Sequence, residues 1–130
     1  MTNVTDITVA NNIVHDNEDT GIDLKSASTV IVRNNTSCRN GDHGYDNLNT
    51  NATTFVNNVS ARNAHDGISI EAGATNVKVF NCIFAQNAVN PLTLASAGYV
   101  RELAIYVTTG FQSNYNVVAA LPATDFGGGY

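Results

Sequence analysis

The chain has 130 residues, room for one domain around a single core, and 6 basic against 11 acidic side chains leave it a net charge of −5. That balance offers no basic stripe to a phosphate backbone, which excludes nucleic acid as a partner. A run of about 18 apolar residues is missing, so no membrane span is expected; the opening MTNVTDITV lacks a signal peptide's basic start and apolar centre, and any export signal is expected to have been removed.

Asparagine occurs 19 times, and in chain order four stretches repeat: ITVANNIVHDNEDTGIDL (7–24), VIVRNNTSCRNGDHGYDN (30–47), TTFVNNVSARNAHDGISI (53–70) and VKVFNCIFAQNAVNPLTL (77–94). Their offsets are 23, 23 and 24 residues. A 3.6-residue stripe fits none of them, whereas β-branched residues recur with period two, which predicts strands. The first strand of each copy turns Ile7, Val30, Thr53, Val77 and Val9, Val32, Phe55, Val79 inward. After an asparagine corner the second strand is expected to turn Ile13, Thr36, Val59 and Ile83 inward, followed by His15, Cys38, Ala61 and Ala85. After a polar loop the third places Ile22, Tyr45, Ile68, Leu92 and Leu24, Asn47, Ile70, Leu94 inside.

Three columns are almost wholly asparagine: Asn11, Asn34, Asn57, Asn81; then Asn12, Asn35, Asn58 with Cys82; then Asn17, Asn40, Asn63, Asn87. Asparagine tolerates the left-handed backbone of a sharp corner. Its amide also bonds to an identical amide about 4.8 Å away on the next coil. Three short strands per coil around one apolar column predict an all-β parallel β-helix of about four regular coils. Residues 1–98 carry these coils, and 99–130 form an irregular last coil, cap and tail of the same domain. The uncapped first strand predicts a truncation point, a contact with another domain, or end-to-end self-association.

Cys38 and Cys82 lie two coils apart, about 9.6 Å of rise at 4.8 Å per coil, too far for a disulfide. Two free, buried thiols are expected. The N-x-[ST] triplets at Asn3, Asn34, Asn35, Asn51 and Asn58 are ascribed to composition, since the ladder would bury Asn35 and Asn58.

Stacking the polar loops places Asp19, Asp42, His65 in one column and Thr20, His43, Asp66 in the next, with Asp23, Asp46, Ser69, Thr93 pointing outward on the strand that follows. Carboxylates about 4.8 Å apart repel, and a hard cation with several oxygen ligands would relieve them. Ordinary solvated turns explain the same residues, so both readings stay open. Arg39 and Arg62, stacked at the groove's rim, are placed to pair with the carboxylates of an acidic sugar.

These asparagine-cornered coils resemble pectate-lyase-like right-handed β-helix repeats over roughly residues 4–98. CRNGDHGYD is similar to the calcium motif of the family-nine polysaccharide lyases, and HDGISIEAG to a strand of theirs. Mannuronan C5-epimerase coils are a second resemblance, without the epimerase signature. The resemblance implies a secreted or cell-surface protein, calcium held by Asp19, Asp42 and Asp46, and an acidic polysaccharide lying over Asp23, Asp66, Arg39 and Arg62. It puts the catalytic base at Ser69, where the family has lysine. Uronate β-elimination needs a base at the α-proton, and serine is none unaided; His43, and after it Arg39 or Arg62, is a candidate substitute, with loss of activity the equal alternative. A lyase, a binding unit cut from a larger solenoid, and a self-associating adhesin or engineered segment all remain open.

Overall fold

A computed structural model describes residues 4–88, 101–107 and 109–119, and every regular element among them is a strand. The first coil carries β1 (Val4–Ala10), β2 (Ile13–His15) and β3 (Ile22–Lys25); the second β4 (Ala27–Arg33), β5 (Thr36–Cys38) and β6 (Tyr45–Leu48). The third carries β7 (Asn51–Val56), β8 (Val59–Ala61) and β9 (Ile68–Ile70), and the fourth β10 (Lys78–Phe80), β11 (Ile83–Ala85) and β12 (Leu103–Ile105). A fifth opens with β13 (Gln112–Asn114) and β14 (Val117–Ala119). Three parallel sheets result: β1-β4-β7-β10-β13, β2-β5-β8-β11-β14 and β3-β6-β9-β12. The fold is a right-handed parallel β-helix.

Left-handed residues make the corners, as the sequence predicts for Asn11, Asn34, Asn57 and Asn81, whose φ angles are 60, 56, 56 and 50°. A second corner uses Asp16, Arg39, Arg62 and Gln86, at φ 56, 54, 56 and 59°. Each of these is a single residue, so the chain turns sharply without leaving the ladder of parallel hydrogen bonds.

Two buried asparagine ladders run along the stack. In one, backbone N and Nδ2 of each asparagine donate to Oδ1 of the next: Asn17 to Asn40 at 3.3 and 2.9 Å, Asn40 to Asn63 at 3.0 and 2.9 Å, Asn63 to Asn87 at 3.1 and 2.8 Å. Glu102 ends this ladder, its carboxylate accepting from Asn87 N at 3.1 Å and from Asn87 Nδ2 at 2.5 Å. The other joins Asn12, Asn35 and Asn58 at 3.0–3.1 Å, breaks at Cys82, and resumes where Cys82 N donates to Asn116 Oδ1 at 2.8 Å.

The core is a file of Val30, Val32, Tyr45, Phe55, Ile68, Ile70, Val77, Val79 and Phe84. Each fully buried side chain of this size contributes about 1.5–3 kcal/mol. Tyr45 lies edge-on to Phe55 at 5.9 Å, and its hydroxyl is within 3.0 Å of the Val59 carbonyl and 3.1 Å of that of Asn35, either of which accepts its proton.

The second strand departs from expectation. Ile13 is 75 % exposed and Ile83 42 %, while Ser37, Ser60 and Phe84 face the core. The ladder asparagine at the corner is itself an inward residue, so alternation resumes two positions later, at Ser37 rather than Thr36. His15 and Cys38 therefore point outward: His15 is exposed and Cys38 only half-buried, whereas Cys82 is buried and both thiols are free. The inward serines are satisfied locally, Ser37 Oγ donating to the Gly44 carbonyl at 2.8 Å and accepting from Asn40 Nδ2 at 3.0 Å. Gly44, which follows the polar loop, does not have a left-handed φ. A Cβ there would lie 2.0 Å from Ser60 Oγ, so packing demands the glycine.

The fourth coil also differs. Ile68 pairs with Leu103 and Ile70 with Ile105, so Leu103 and Ile105 take the register expected for Leu92 and Leu94, which lie outside the described residues together with Thr93.

Glu102 is 6 % exposed and holds two donors of Asn87, so Glu102→Ala strands both of them. Urea unfolding should show a loss of about 1–3 kcal/mol for Glu102→Ala and much less for Glu102→Gln, which keeps one acceptor. Equal stability of parent and alanine variant would contradict the capping role.

Candidate functional site

The polar loops lie between β5 and β6 (Asn40 to Gly44) and between β8 and β9 (Asn63 to Gly67), each pinned at its start by a ladder asparagine. Backbone bonds keep them in step: Ala64 N to the Asn40 carbonyl at 2.9 Å, His65 N to that of Asp42 at 3.1 Å, Gly44 N to that of Asp66 at 3.0 Å. The expected columns Asp42–His65 and His43–Asp66 are thus present.

At their centre is a carboxylate away from water. Asp66 is 1 % exposed and accepts no hydrogen bond among the described residues. Its Oδ2 lies 3.5 Å from Nδ1 of both His43 and His65. Burial pushes the carboxyl above the usual aspartate range, opposed by His43, His65 and Arg101. Asp66 N donates to His43 Nδ1 at 3.2 Å, so that nitrogen carries the lone pair and Nε2 carries the proton, 3.5 Å from Asp42 Oδ1. The two rings meet edge to face with centroids 4.9 Å apart. One donor atom from each of Asp42, His43 and His65 lies within 4.8 Å of the other two.

Beside the cluster, β3, β6 and β9 bring Asp23, Asp46 and Ser69 into one file. Asp23 is exposed and Asp46 half-buried. The Asp46 carboxyl is pushed up to about 6, chiefly by burial and then by Glu71 and Asp23, against an opposing pull from His43. The expected outward Ser69 is fully buried, its Oγ donating to Glu71 Oε1 at 2.9 Å, so it is closed to a substrate proton.

The remaining expected residues are placed elsewhere. Asp19 is exposed in the column below Asp42, and neither it nor Asp46 joins the three-residue donor group. That group presents two imidazoles and one carboxylate, whereas calcium takes six to eight oxygens, so these donors do not fit calcium. Asp66 is too deep to touch a sugar. Arg39 is held by Asp16, with Nε to Oδ1 at 2.8 Å and Nη2 to Oδ2 at 2.6 Å, and Arg62 Nε donates to Gln86 Oε1 at 3.0 Å. Arg39 and His15 together draw the Asp16 carboxyl down to about 2. His65, by contrast, was not singled out in the sequence as a site residue, although its column with Asp42 was visible.

The family described as right handed beta helix region matches residues 1–115. The chain belongs to this right-handed β-helix family. No match was found among curated proteins or solved structures. Membership fits the described stack of coils and corners, and it leaves chemistry to the side chains that the family's loops carry.

The Asp46 shift sets a pH dependence. An unfolded aspartate titrates near 3.8, so between that value and about 6 the folded chain keeps a proton that the unfolded chain has released, and stability falls as pH rises through this window. Asp16 acts with the opposite sign, its contribution being lost only as pH falls below 4 towards about 2. Denaturation at pH 5 and 7.5 should find the parent more stable at pH 5 by about 1 kcal/mol from Asp46, a figure reduced for solvent screening, and Asp46→Asn should remove that difference. An unchanged slope in Asp46→Asn would contradict the assignment.

Proposed function

We propose that this β-helix is a polysaccharide-contacting unit of the pectate-lyase-like kind, with an acidic polysaccharide lying over the β3-β6-β9 face. The observation that supports this most is the group Asp42, His43 and His65, open to solvent at Asp42 and His65, at the margin of the Asp23–Asp46 file. A neutral imidazole N–H donates to a sugar oxygen, and a carboxylate accepts from a sugar hydroxyl. Parallel strands about 4.8 Å apart give an extended chain a regular row of such groups.

An acidic sugar meets a problem on this face, because Asp23, Asp42, Asp46 and Glu71 repel its carboxylates. Two things relieve that repulsion: protonation of Asp46, whose carboxyl is held at about 6, or a bridging cation. The reading is therefore binding rather than turnover. The family's base position falls on Ser69, which is buried and bonded to Glu71.

Titration calorimetry with oligogalacturonates should find saturable binding that is at least several-fold tighter at pH 5 than at pH 8, and weakened several-fold by His65→Ala, which removes an exposed imidazole donor. Absence of binding at both pH values, or His65→Ala binding like the parent, would defeat the proposal.

A further inference from the structure

We infer that Asp42, His43 and His65 form a site for a borderline divalent metal of the zinc, nickel or cobalt class, with Asp66 as the buried carboxylate that orients both imidazoles. The inference stands without the polysaccharide reading.

Two independent observations carry it. The first is the donor group itself: one oxygen and two ring nitrogens within 4.8 Å of one another, drawn from two successive coils. The second is Asp66, a carboxylate 99 % removed from water whose two oxygens accept no hydrogen bond among the described residues and which sits 3.5 Å from both Nδ1 atoms. An ionisable group buried without accepting a hydrogen bond is costly unless something beside it needs it. Metal-bound histidines characteristically donate their second ring N–H to such a carboxylate, which fixes the tautomer and raises the basicity of the ligating nitrogen.

The assignment of atoms follows. His65 Nδ1 is buried against Asp66, leaving Nε2 as the donor. His43 Nε2 already faces Asp42 Oδ1 at 3.5 Å but carries the ring proton, because Nδ1 accepts from Asp66 N. Metal binding therefore requires that proton to leave Nε2 and Nδ1 to take one up, which breaks the Asp66 N–H to Nδ1 hydrogen bond and replaces it with one from Nδ1–H to Asp66 Oδ2; the net proton count is unchanged. Metal–ligand bonds of about 2.0–2.2 Å place tetrahedral donors about 3.4 Å apart. His43 and Asp42 already stand near that separation, and donors up to 4.8 Å apart must draw in by up to about 1.4 Å, which side-chain rotation supplies at Asp42 and His65, both about 40 % exposed.

The chemistry of the donors selects the ion. Two imidazoles and one carboxylate suit zinc, nickel or cobalt, and the three protein ligands leave a position for water or an oxygen ligand. Calcium and magnesium, which prefer all-oxygen shells, are selected against.

The test is titration of the full chain with Zn²⁺ by calorimetry and with Co²⁺ by visible absorption. One ion per chain should bind. His65→Ala should weaken binding at least tenfold, and Asp66→Asn by about 10–100-fold, the range for outer-shell partners. His15→Ala, which removes an exposed histidine bonded to Asp16 on another face, should leave binding unchanged and guards against adventitious histidine binding. Because Asp66→Asn disturbs a buried position, the exposed His65→Ala decides if that variant fails to fold. The inference is overturned by absence of saturable binding, by equal affinity in parent and His65→Ala, or by displacement of Zn²⁺ with equimolar Ca²⁺.

Discussion

The hydrogen bond from one asparagine amide to the identical amide on the next coil governs everything else in this molecule. Asn35, Asn40, Asn58, Asn63 and Asn87 are each about 1 % exposed or less. A buried amide without partners costs several kcal/mol, so each rung is stabilising only while its neighbours keep register. Slipping one coil by a single residue would unpair the rungs on both sides of it and turn its strands inside out. The ladders thus fix a 23-residue coil, and strands as short as three residues hold their places because corners between them do not drift.

That register has a chemical consequence. Residues 23 apart in sequence become neighbours one strand spacing apart, so a site is assembled by columns rather than by local motifs. Asp42 meets His65, His43 meets Asp66, Asp46 meets Asp23 and Ser69, and on another face Arg39 meets Asp16. In each case the ladder does the positioning, and a loop, strand or corner residue supplies the chemistry. Burial makes Asp46 and Asp66 resist ionisation, with Glu71 and Asp23 adding to it at Asp46 alone, while Asp16, given a guanidinium, ionises readily.

The columns were legible in the sequence because repetition exposes them without any structural assumption. The corners at Asn11, Asn34, Asn57 and Asn81, the ladders, the inward Tyr45 and the loop pairs were readable from a 23-residue offset, whereas the second corner turns at Asp16, Arg39, Arg62 and Gln86, one residue before the asparagine column, and no shared residue type marks it. The phase of the second strand was not. Ile13, Val59 and Ile83 look more like core than Ser37 and Ser60, and only the inward-facing ladder amide, with the serine hydroxyls tied to Gly44 and Gly67, reveals which set is buried. The third strand of the fourth coil was obscured for a different reason: Leu92 and Leu94 imitate the pattern at the expected spacing, whereas Leu103 and Ile105 sit beyond an insertion. Glu102 as ladder cap and Asp66 as a buried orienting group depend on three-dimensional closure, and no spacing announces either.

The central claim, that buried amide ladders hold the coils in register, is tested most directly by amide hydrogen exchange resolved at single residues. The backbone N–H groups of Asn35, Asn40 and Asn63, each donating to an Oδ1 of the next coil at 3.0–3.1 Å, should exchange as slowly as those of Val32 and Ile70 in the sheets, and only through global unfolding. Exchange of these three amides at the rate of the exposed corner residues, while the sheet amides stay protected, would contradict it.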